Sequence, residues 1–406
     1  MTRTFLFLAL SFIVCAVNAQ ENRIDIIGPL APELADFGSY EVGVQTIEVV
    51  AGNRVDILNT ARGGETAYYD RKLTLEIWYP ADFQGQEPGT QYQVITRNPE
   101  ITATLYGRAV RGAQPQYQDG PYPLLIISHG YPGNRFLMSH TGENLASKGY
   151  VVVSIDHLES TYDNQQSFAS TLYNRPLDQR FVLNTLASIS SEEDQVLRGM
   201  IDAERTGVIG YSMGGYGLLN NLGAGYSEES VVGFLAPPNR LLEEHATSNP
   251  EFRNNLDLRI KAGFAIGPWG MNAGFWQSED LAGIEVPTFY LAGDQDSVAG
   301  YENGAHAIFN GAKNSDRYLL TLLGAGHNAG APMPVPNELD NVENEEAAGH
   351  YRDANWDNVE MNNIMDHFVT AWFDTHLKGM DRQSSLGLVP SGYEDRLTLE
   401  HLSPGQ

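Results

Sequence analysis

Cysteine is almost absent from this sequence. The single cysteine among 406 residues is Cys15, which lies in a segment that is apolar from Phe5 to Val17. A cationic start, a short apolar run and small residues up to Ala19 are typical of a secretory signal peptide, here residues 1–19. Because cleavage is expected after Ala19, the mature chain would contain no cysteine, which excludes disulfides, a cysteine nucleophile and thiolate metal sites.

Basic residues and long apolar runs are also scarce. Lys and Arg total 25 against 51 Asp and Glu, which gives a formal net charge of -26. Nucleic acids and anionic membrane surfaces bind basic patches, so both are excluded as partners. No apolar run after Val17 is long enough to span a bilayer. We therefore expect an exported chain, in the periplasm or the external medium, without stable membrane insertion; the sequence carries no signal for an oligomeric state.

What the sequence does contain is a regular alternation of strand and helix patterns. The N-terminal extension, residues 20–118, is β-rich, and its segments 41–50 and 72–80 alternate as half-buried strands do. From residue 123 onward, short apolar runs typical of buried parallel strands alternate with helical segments. We predict an α/β fold with a doubly wound, mostly parallel sheet and antiparallel N-terminal edge strands. The expected parallel strands are 123–128, 150–155, 207–210, 260–266, 288–292 and 317–323, and the expected helices are 139–147, 177–189, 214–222 and 359–377.

The sequence favours a single domain over residues 20–380. Residues 81–121 are rich in Gln, Gly and Pro and are predicted to form a long surface loop. Residues 223–258 fit the strand–helix alternation poorly and are predicted to be a cap-like insertion over the site. Residues 381–406 are predicted to be a C-terminal tail, either a surface extension or frayed.

The stretch Thr206–Gly217 carries the strongest motif. An apolar run leads into Gly-Tyr-Ser-Met-Gly at 210–214, which is typical of a strand, a sharp turn and a helix. This is the nucleophile elbow of α/β-hydrolases, in which glycines let strand and helix pass closely and a serine is exposed at the tip. Ser212 is therefore the candidate nucleophile, although the pentapeptide alone is a weak signal.

A serine nucleophile needs a base and an acid, which in α/β-hydrolases follow in the order Ser, Asp or Glu, His. His327 lies in a glycine-rich turn after the last predicted parallel strand and is the candidate base. Two aspartates, Asp294 and Asp296, follow the strand 288–292. We favour Asp296, since a small and an apolar residue follow it, and we assign Asp294 to capping of the turn.

The oxyanion of such a reaction needs two N–H donors. The backbone N–H groups of Met213, directly after the serine, and of Tyr131, in the loop after strand 123–128, are the candidates. The Tyr131 ring and Trp269, which follows strand 260–266, are candidate substrate-binding side chains. His129 and His157 are interpreted as structural, because no spacing of His and carboxylates fits a metal-ligand motif. We expect neither a metal nor another cofactor.

Several motifs together resemble a known group. Ser-His-Gly-Tyr-Pro-Gly-Asn at 128–134, Gly-Tyr-Ser-Met-Gly-Gly at 210–215 and Gly-His at 326–327 are similar to secreted serine esterases of the α/β-hydrolase superfamily. The run 145–157 and the strand through Trp78-Tyr79-Pro80 resemble in particular the branch of platelet-activating factor acetylhydrolases and predicted dienelactone hydrolases. Bacterial cutinases and polyester hydrolases share a similar Gly-Tyr loop and Ser-Met pair.

This resemblance implies a serine carboxylic-ester hydrolase that works through an acyl-enzyme and needs no cofactor. Short-chain or lipid-like esters are the expected substrates, with polyester hydrolysis of the cutinase type or peptide hydrolysis on the same fold as alternatives. Dienelactone hydrolases carry cysteine where this chain has Ser212, so their activity is not implied.

Overall fold

A single large sheet forms the centre of the molecule. In residues 21–193 and 195–406, which the computed structural model describes, eleven strands form this sheet and three more form a small second sheet. The signal-peptide prediction falls on residues 1–19 and lies outside the described residues. The strands are β1 (Asn22–Arg23), β2 (Glu41–Val55), β3 (Tyr68–Asp82), β4 (Gln91–Ile95), β5 (Thr102–Tyr106), β6 (Val110–Arg111), β7 (Gln114–Pro115), β8 (Tyr122–Ser128), β9 (Val151–Asp156), β10 (Ile201–Tyr211), β11 (Ile260–Ile266), β12 (Thr288–Gly293), β13 (Arg317–Leu322) and β14 (Leu397–Leu402).

The large sheet has the order β14-β13-β12-β11-β10-β8-β9-β3-β2-β6, with β7 paired to β3. The pairings from β13 to β9 are all parallel, whereas β3 pairs antiparallel with both β9 and β2. This arrangement confirms the predicted mostly parallel sheet with antiparallel N-terminal strands.

Helices cover both faces of the sheet. They are α1 (Ser139–Ala146), α2 (Phe168–Ser191), α3 (Met213–Asn221), α4 (Glu228–Val232), α5 (Pro250–Asn254), α6 (Ser278–Leu281), α7 (His306–Gly311), α8 (Glu345–Gly349), α9 (Asn358–Lys378) and α10 (Gln383–Leu386). Along β8, Leu124 and Ile126 pack with the cluster that contains α2, α3 and α7, while Leu125 and Ile127 pack with the cluster of α1 and α9. A strand that buries both faces must be apolar throughout, which explains the continuous apolar runs of the parallel strands.

Helix α2 is longer than the sequence predicts, because it continues on both sides of Pro176. Proline has no N–H, so it cannot bond the carbonyl group four residues earlier, that of Leu172. The Tyr216 hydroxyl in α3 donates to this Leu172 oxygen at 3.2 Å. A tertiary contact therefore satisfies the carbonyl that the proline leaves without a helical partner.

Two segments outside the predicted strands and helices contain regular structure, so the loop prediction for residues 81–121 was wrong. The expected surface loop 81–121 contains β4 to β7, and β4 and β5 pair with each other beside β1. The expected tail 381–406 contains α10 and the edge strand β14, which pairs antiparallel with β13 over its whole length. The strands β6, β7 and β14 pair with partners that lie far away in sequence, which a local pattern does not show.

The segment 223–258 forms the short helices α4 and α5 and an irregular helical stretch, Pro238–His245. It packs on α3, where the rings of Tyr226 and Tyr216 stack at 5.5 Å, and on α2, where Arg180 contacts His245 at 3.4 Å. That this segment acts as a cap over the site stays a prediction.

Candidate active site

The candidate nucleophile Ser212 lies at the turn between β10 and α3. Its φ of 53° and ψ of -112° are a conformation that residues with a side chain rarely adopt, at a cost of about 1–3 kcal/mol. Glycines make the turn possible: a Cβ on Gly214 would lie 1.9 Å from the Ser128 carbonyl oxygen, and one on Gly210 would lie 2.5 Å from the Gly214 backbone. This geometry sets the Ser212 side chain at the carboxyl edge of the parallel strands.

His327 and Asp296 form a hydrogen-bonded line with Ser212. His327 Nε2 lies 3.0 Å from Ser212 Oγ, and His327 Nδ1 lies 2.8 Å from Asp296 Oδ2. His327 follows β13 and Asp296 follows β12, so all three side chains lie at strand ends on one edge of the sheet. The structure thus brings together the three side chains that the sequence analysis favours.

Asp296, and not Asp294, is the carboxylate that contacts His327. Asp296 Oδ1 also accepts the backbone N–H groups two and three residues ahead, at 2.8 and 2.9 Å. Burial by itself would raise the pKa of Asp296, but the hydrogen bond and charge of His327 and these two N–H groups outweigh it, so the pKa is lowered. Asp294 instead accepts the backbone N–H of Gly324 at 2.6 Å.

The loop with Gly130 and Tyr131 passes directly beside the candidate nucleophile. A Cβ on Gly130 would lie 3.3 Å from Ser212 Cβ. Met213 is the first residue of α3, so its N–H is one of the helical donors without a partner in the helix. The two proposed oxyanion donors therefore belong to backbone segments on either side of Ser212.

Arg175 is fully buried behind this loop. The carbonyl oxygen of Gly130 contacts His129 Nδ1 at 2.7 Å and Arg175 Nη2 at 3.2 Å, and Arg175 Nη1 donates to the carbonyl oxygen of His129. Burial lowers the pKa of Arg175 to about 9, which leaves it charged at neutral pH. The Gly130 carbonyl and the Tyr131 N–H belong to one planar peptide unit and point in opposite directions. Holding the carbonyl therefore fixes the direction of the Tyr131 N–H.

Arg175 was not predicted from the sequence. A charged residue in the middle of a helix normally lies at the surface, and a single sequence does not show that this one is buried. One weak sequence signal for a buried Arg175 is Gly217 in α3. A Cβ on Gly217 would lie 2.7 Å from Arg175 Cγ, so the glycine makes room for the arginine.

Half-buried aromatic side chains line one side of the site. The rings of Tyr131 and Phe168 lie 5.0 Å apart, and those of Phe168 and Trp269 lie 5.1 Å apart, both edge to face. The backbone N–H of Trp269 donates to the Ser212 carbonyl at 3.2 Å, which places this residue next to the nucleophile. Phe168 was not predicted from the sequence; it joins the two aromatic residues that were.

His157 belongs to a second Ser–His–Asp line, away from solvent. His157 Nε2 lies 2.8 Å from Ser128 Oγ, and His157 Nδ1 lies 3.0 Å from Asp178 Oδ2. Each of the three residues is at most 1% exposed. Burial, with the charge of Arg175, lowers the pKa of His157 to about 3, so the ring is neutral at neutral pH. These contacts agree with the interpretation of His157 as structural.

Among residues 21–193 and 195–406, no group of three or more metal-ligating side chains is placed to hold a metal ion. In the same part of the chain, no helix is both long and apolar enough to cross a membrane.

Known ester hydrolases are similar to parts of this chain in sequence or to its fold. Residues 112–237 match the PET hydrolase-like family, a stretch that includes Tyr131 and Ser212 but ends before Asp296 and His327. Cutinase 2 of Thermobifida cellulosilytica is 29% identical over 223 residues, which is 55% of this chain and 65% of that protein. Bis(hydroxyethyl) terephthalate hydrolase of Streptomyces coelicolor is 27% identical over 210 residues, 52% of this chain and 51% of that protein.

The chain thus spans about half to two thirds of the length of these curated relatives. Among solved structures, a ferulic acid esterase from Streptomyces cinnamoneus superposes with a TM-score of 0.62 at 20% identity, over 94% of this chain and 99% of that one. The sheet order, the turn at Ser212 and this superposition together show that the chain has an α/β-hydrolase fold.

Proposed function

We propose that this protein is a secreted serine carboxylic-ester hydrolase that works through an acyl-enzyme. The observation that carries the proposal is the line from Ser212 Oγ through His327 to Asp296, with contacts of 3.0 and 2.8 Å. A serine hydroxyl is a weak nucleophile until a base removes its proton, and this geometry supplies a base and an acid that orients it.

In the proposed reaction, His327 Nε2 takes the Ser212 proton while Oγ attacks the ester carbonyl carbon. The tetrahedral intermediate collapses, the bond to the alcohol oxygen breaks, and His327 returns the proton to the leaving alcohol. A water molecule then attacks the acyl-enzyme with His327 again as base, and the acid leaves as Ser212 regains its proton. Asp296, ionised because its pKa is lowered, holds the imidazole in the required tautomer and stabilises its protonated form.

The charge that develops on the carbonyl oxygen needs fixed donors. The backbone N–H groups of Met213 and Tyr131 are the proposed donors, and each donor of this kind contributes about 10²- to 10³-fold in rate. Arg175 and His129 would support the second donor through the Gly130 carbonyl, which they contact at 3.2 and 2.7 Å.

The substrates we propose are small or lipid-like esters that contact the row Tyr131, Phe168 and Trp269. A half-exposed aromatic row beside a nucleophile provides apolar contact area for an acyl or alcohol group. Lipid-like esters are suggested by the resemblance to platelet-activating factor acetylhydrolases, and hydrolysis of phospholipid in vesicles tests that choice.

Polyester hydrolysis of the cutinase type is the second candidate. It is supported by the similarity to cutinases and to a bis(hydroxyethyl) terephthalate hydrolase, and by the aromatic row beside Ser212. A series of p-nitrophenyl esters of increasing chain length, bis(hydroxyethyl) terephthalate and a polyester film would separate the two candidates. A peptide amide in the same series tests the peptidase alternative.

Labelling with a p-nitrophenyl phosphonate tests the proposed chemistry directly. We expect one phosphonyl group per chain, located on Ser212 by peptide mass spectrometry, with loss of p-nitrophenyl acetate hydrolysis in proportion to labelling. Ser212→Ala should take up none. Full hydrolytic activity in the labelled protein would contradict the proposal.

Export is also part of the proposal. The residues 1–19 have the composition of a signal peptide, and N-terminal sequencing of exported protein should begin at Gln20. An exported chain that retains Phe5 to Val17 would contradict this cleavage.

A further inference from the structure

An open pocket of about 530 Å³ lies on the outer side of helix α2, away from the candidate active site. Its helical wall is one face of α2, since Leu177, Arg180, Phe181 and Asn184 have the spacing i, i+3, i+4 and i+7. The opposite wall comes from Arg54 at the end of β2 and from the segment after α5. The inward residues of the same helix, including Arg175 and Asp178, are buried and take no part in this pocket.

Two arginines in this pocket lack a carboxylate partner. Arg54 donates to the Leu177 carbonyl oxygen at 2.9 Å and lies over the Phe181 ring at 5.7 Å. Arg180 contacts His245 Nε2 at 3.4 Å. In the described ranges 21–193 and 195–406, neither guanidinium has a carboxylate oxygen within 4.0 Å.

The chain as a whole has twice as many acidic as basic residues and a net charge of -26. Burial lowers the pKa of His245 to about 3, so the ring beside Arg180 is neutral and does not repel it. Burial also lowers the pKa of Arg54 from its usual value; the charge of Asp178 opposes this shift, and the positive charges of Arg71 and Arg180 add to it. The two guanidinium groups therefore lie close enough to influence each other.

The one carboxylate in the pocket wall is already neutralised. Asp257 accepts two hydrogen bonds from Arg259, at 2.9 and 2.6 Å. Arg259 also donates to Asn184 Oδ1. The pocket thus carries the charges of Arg54 and Arg180, neither of them in a direct ion pair with a described residue, and the amide side chains of Asn184 and Asn255.

We propose that this pocket binds a small organic carboxylate. Guanidinium groups present planar pairs of N–H donors that match a carboxylate. A volume of about 530 Å³ is within the range of small-molecule sites and far larger than an inorganic oxyanion requires. Leu177 and Phe181 supply apolar surface for the body of the ligand. This site is independent of ester hydrolysis at Ser212.

Sodium benzoate is a suitable probe, measured by isothermal titration calorimetry at constant ionic strength. We expect saturable binding of one benzoate per chain and a dissociation constant that rises about tenfold or more in Arg54→Gln and in Arg180→Gln. Asn184→Asp keeps the acceptor for Arg259 but adds a negative charge at the pocket, so it should also weaken binding. Arg62→Gln removes the same charge from an exposed arginine outside the pocket and should bind as the wild type does.

Two further ligands sharpen the test. Benzamide has the same shape without the charge, and sulfate has the charge without the apolar body, so both should bind at least tenfold more weakly than benzoate. Benzoate affinity unchanged in both Arg54→Gln and Arg180→Gln would overturn the proposal. Sulfate binding as tight as benzoate would also overturn it, because the apolar wall would then contribute nothing. Thermal unfolding of each variant checks that it is folded, and none of these readouts depends on esterase activity.

Discussion

Two Ser–His–Asp lines with nearly the same internal geometry occur in this molecule. In Ser212–His327–Asp296 the two contacts are 3.0 and 2.8 Å, and in Ser128–His157–Asp178 they are 2.8 and 3.0 Å. Distances therefore do not separate the line that we propose as catalytic from the line that we interpret as structural.

Their surroundings differ. Ser212 lies on a strained turn at the carboxyl edge of the sheet and is 6% exposed. Ser128 is the last residue of the central strand β8 and is 0% exposed. Asp178 is paired with Arg71 through two contacts of 2.9 Å, while Asp296 is held by backbone N–H groups. A substrate can approach only the first line. Hydrogen-bond geometry is thus necessary for a triad, but access and backbone strain decide which serine can react.

Replacement of Ser212 and of Ser128 should give the largest difference in activity between the two lines. Ser212→Ala is expected to lower kcat/KM for p-nitrophenyl acetate about 10⁶-fold, since the nucleophile is lost. Ser128→Ala is expected to change it by less than about tenfold but to lower the free energy of unfolding by about 1–3 kcal/mol, because His157 loses a buried partner. Steady-state kinetics and urea unfolding measure both. A large loss of activity with normal stability in Ser128→Ala would break the comparison.

The two aspartates of the β12 loop give the next contrast. Asp296→Asn should lower kcat about 10⁴-fold, because an amide favours the wrong tautomer of His327. Asp294→Asn should leave kcat within about tenfold and cost about 1 kcal/mol of stability through the weakened bond to the Gly324 N–H. The opposite order of effects on kcat would make Asp294 the functional acid.

Variants of Arg175 test whether buried residues near the Ser128–His157–Asp178 line also contribute to catalysis at Ser212. Arg175→Met should lower kcat about 10²-fold with little change in KM, because the Tyr131 N–H loses its fixed direction. The affinity for a boronic acid that mimics the tetrahedral intermediate should fall by a similar factor. Arg175→Lys should recover part of the loss, and Arg198→Met, an exposed arginine beyond α2, serves as the control. A change in stability with unaltered kcat and inhibitor affinity would reduce Arg175 to a structural role.

The pH dependence of stability tests the second Ser–His–Asp line without reference to activity. His157 has a pKa of about 3 in the folded chain and about 6.5 in the unfolded chain, so between these values the unfolded state binds a proton that the folded state does not. Stability contributed by the neutral ring is therefore lost as pH falls from about 6.5 to about 3. In His157→Gln the slope of the free energy of unfolding against pH should decrease by about 1.4 kcal/mol per pH unit in this window.

Urea unfolding at pH 4, 5, 6 and 7 measures this slope. The other buried histidines are present in both proteins, so the difference between the two slopes isolates His157. Equal slopes would show that His157 is not held neutral by the fold.

Much of the fold was predictable because the strongest patterns are local. The continuous apolar run of β8 and the alternation in β3 predict a buried and a half-buried strand; both strands form, but β3 is buried on both faces from Leu75 to Ala81. The edge strand β14 and the small strands β4 to β7 were not predicted; β6, β7 and β14 pair with remote strands, whereas β4 and β5 pair with each other. The start of α2 was placed too late because the helix continues through Pro176, which only the Tyr216 contact explains.

The residues of the candidate site were likewise predicted only where a local pattern carries them. Ser212, His327 and Asp296 were predicted because motif spacing and chain order carry them, and the structure brings them together. Arg175 and Phe168 were missed, because a buried arginine and an exposed one look alike in a single sequence. The second Ser–His–Asp line was equally invisible, since Ser128, His157 and Asp178 have no common motif.

The sequence by itself determined the alternation of strands and helices, the glycines of the turn at Ser212 and the positions of the acid and base after their strands. These are local properties: side-chain periodicity, the steric freedom of glycine and the order of elements along the chain. Only the tertiary structure decided which serine is accessible, which aspartate contacts His327 and which arginines lack a carboxylate partner. Those properties depend on burial and on distances between residues far apart in sequence, which no local pattern encodes.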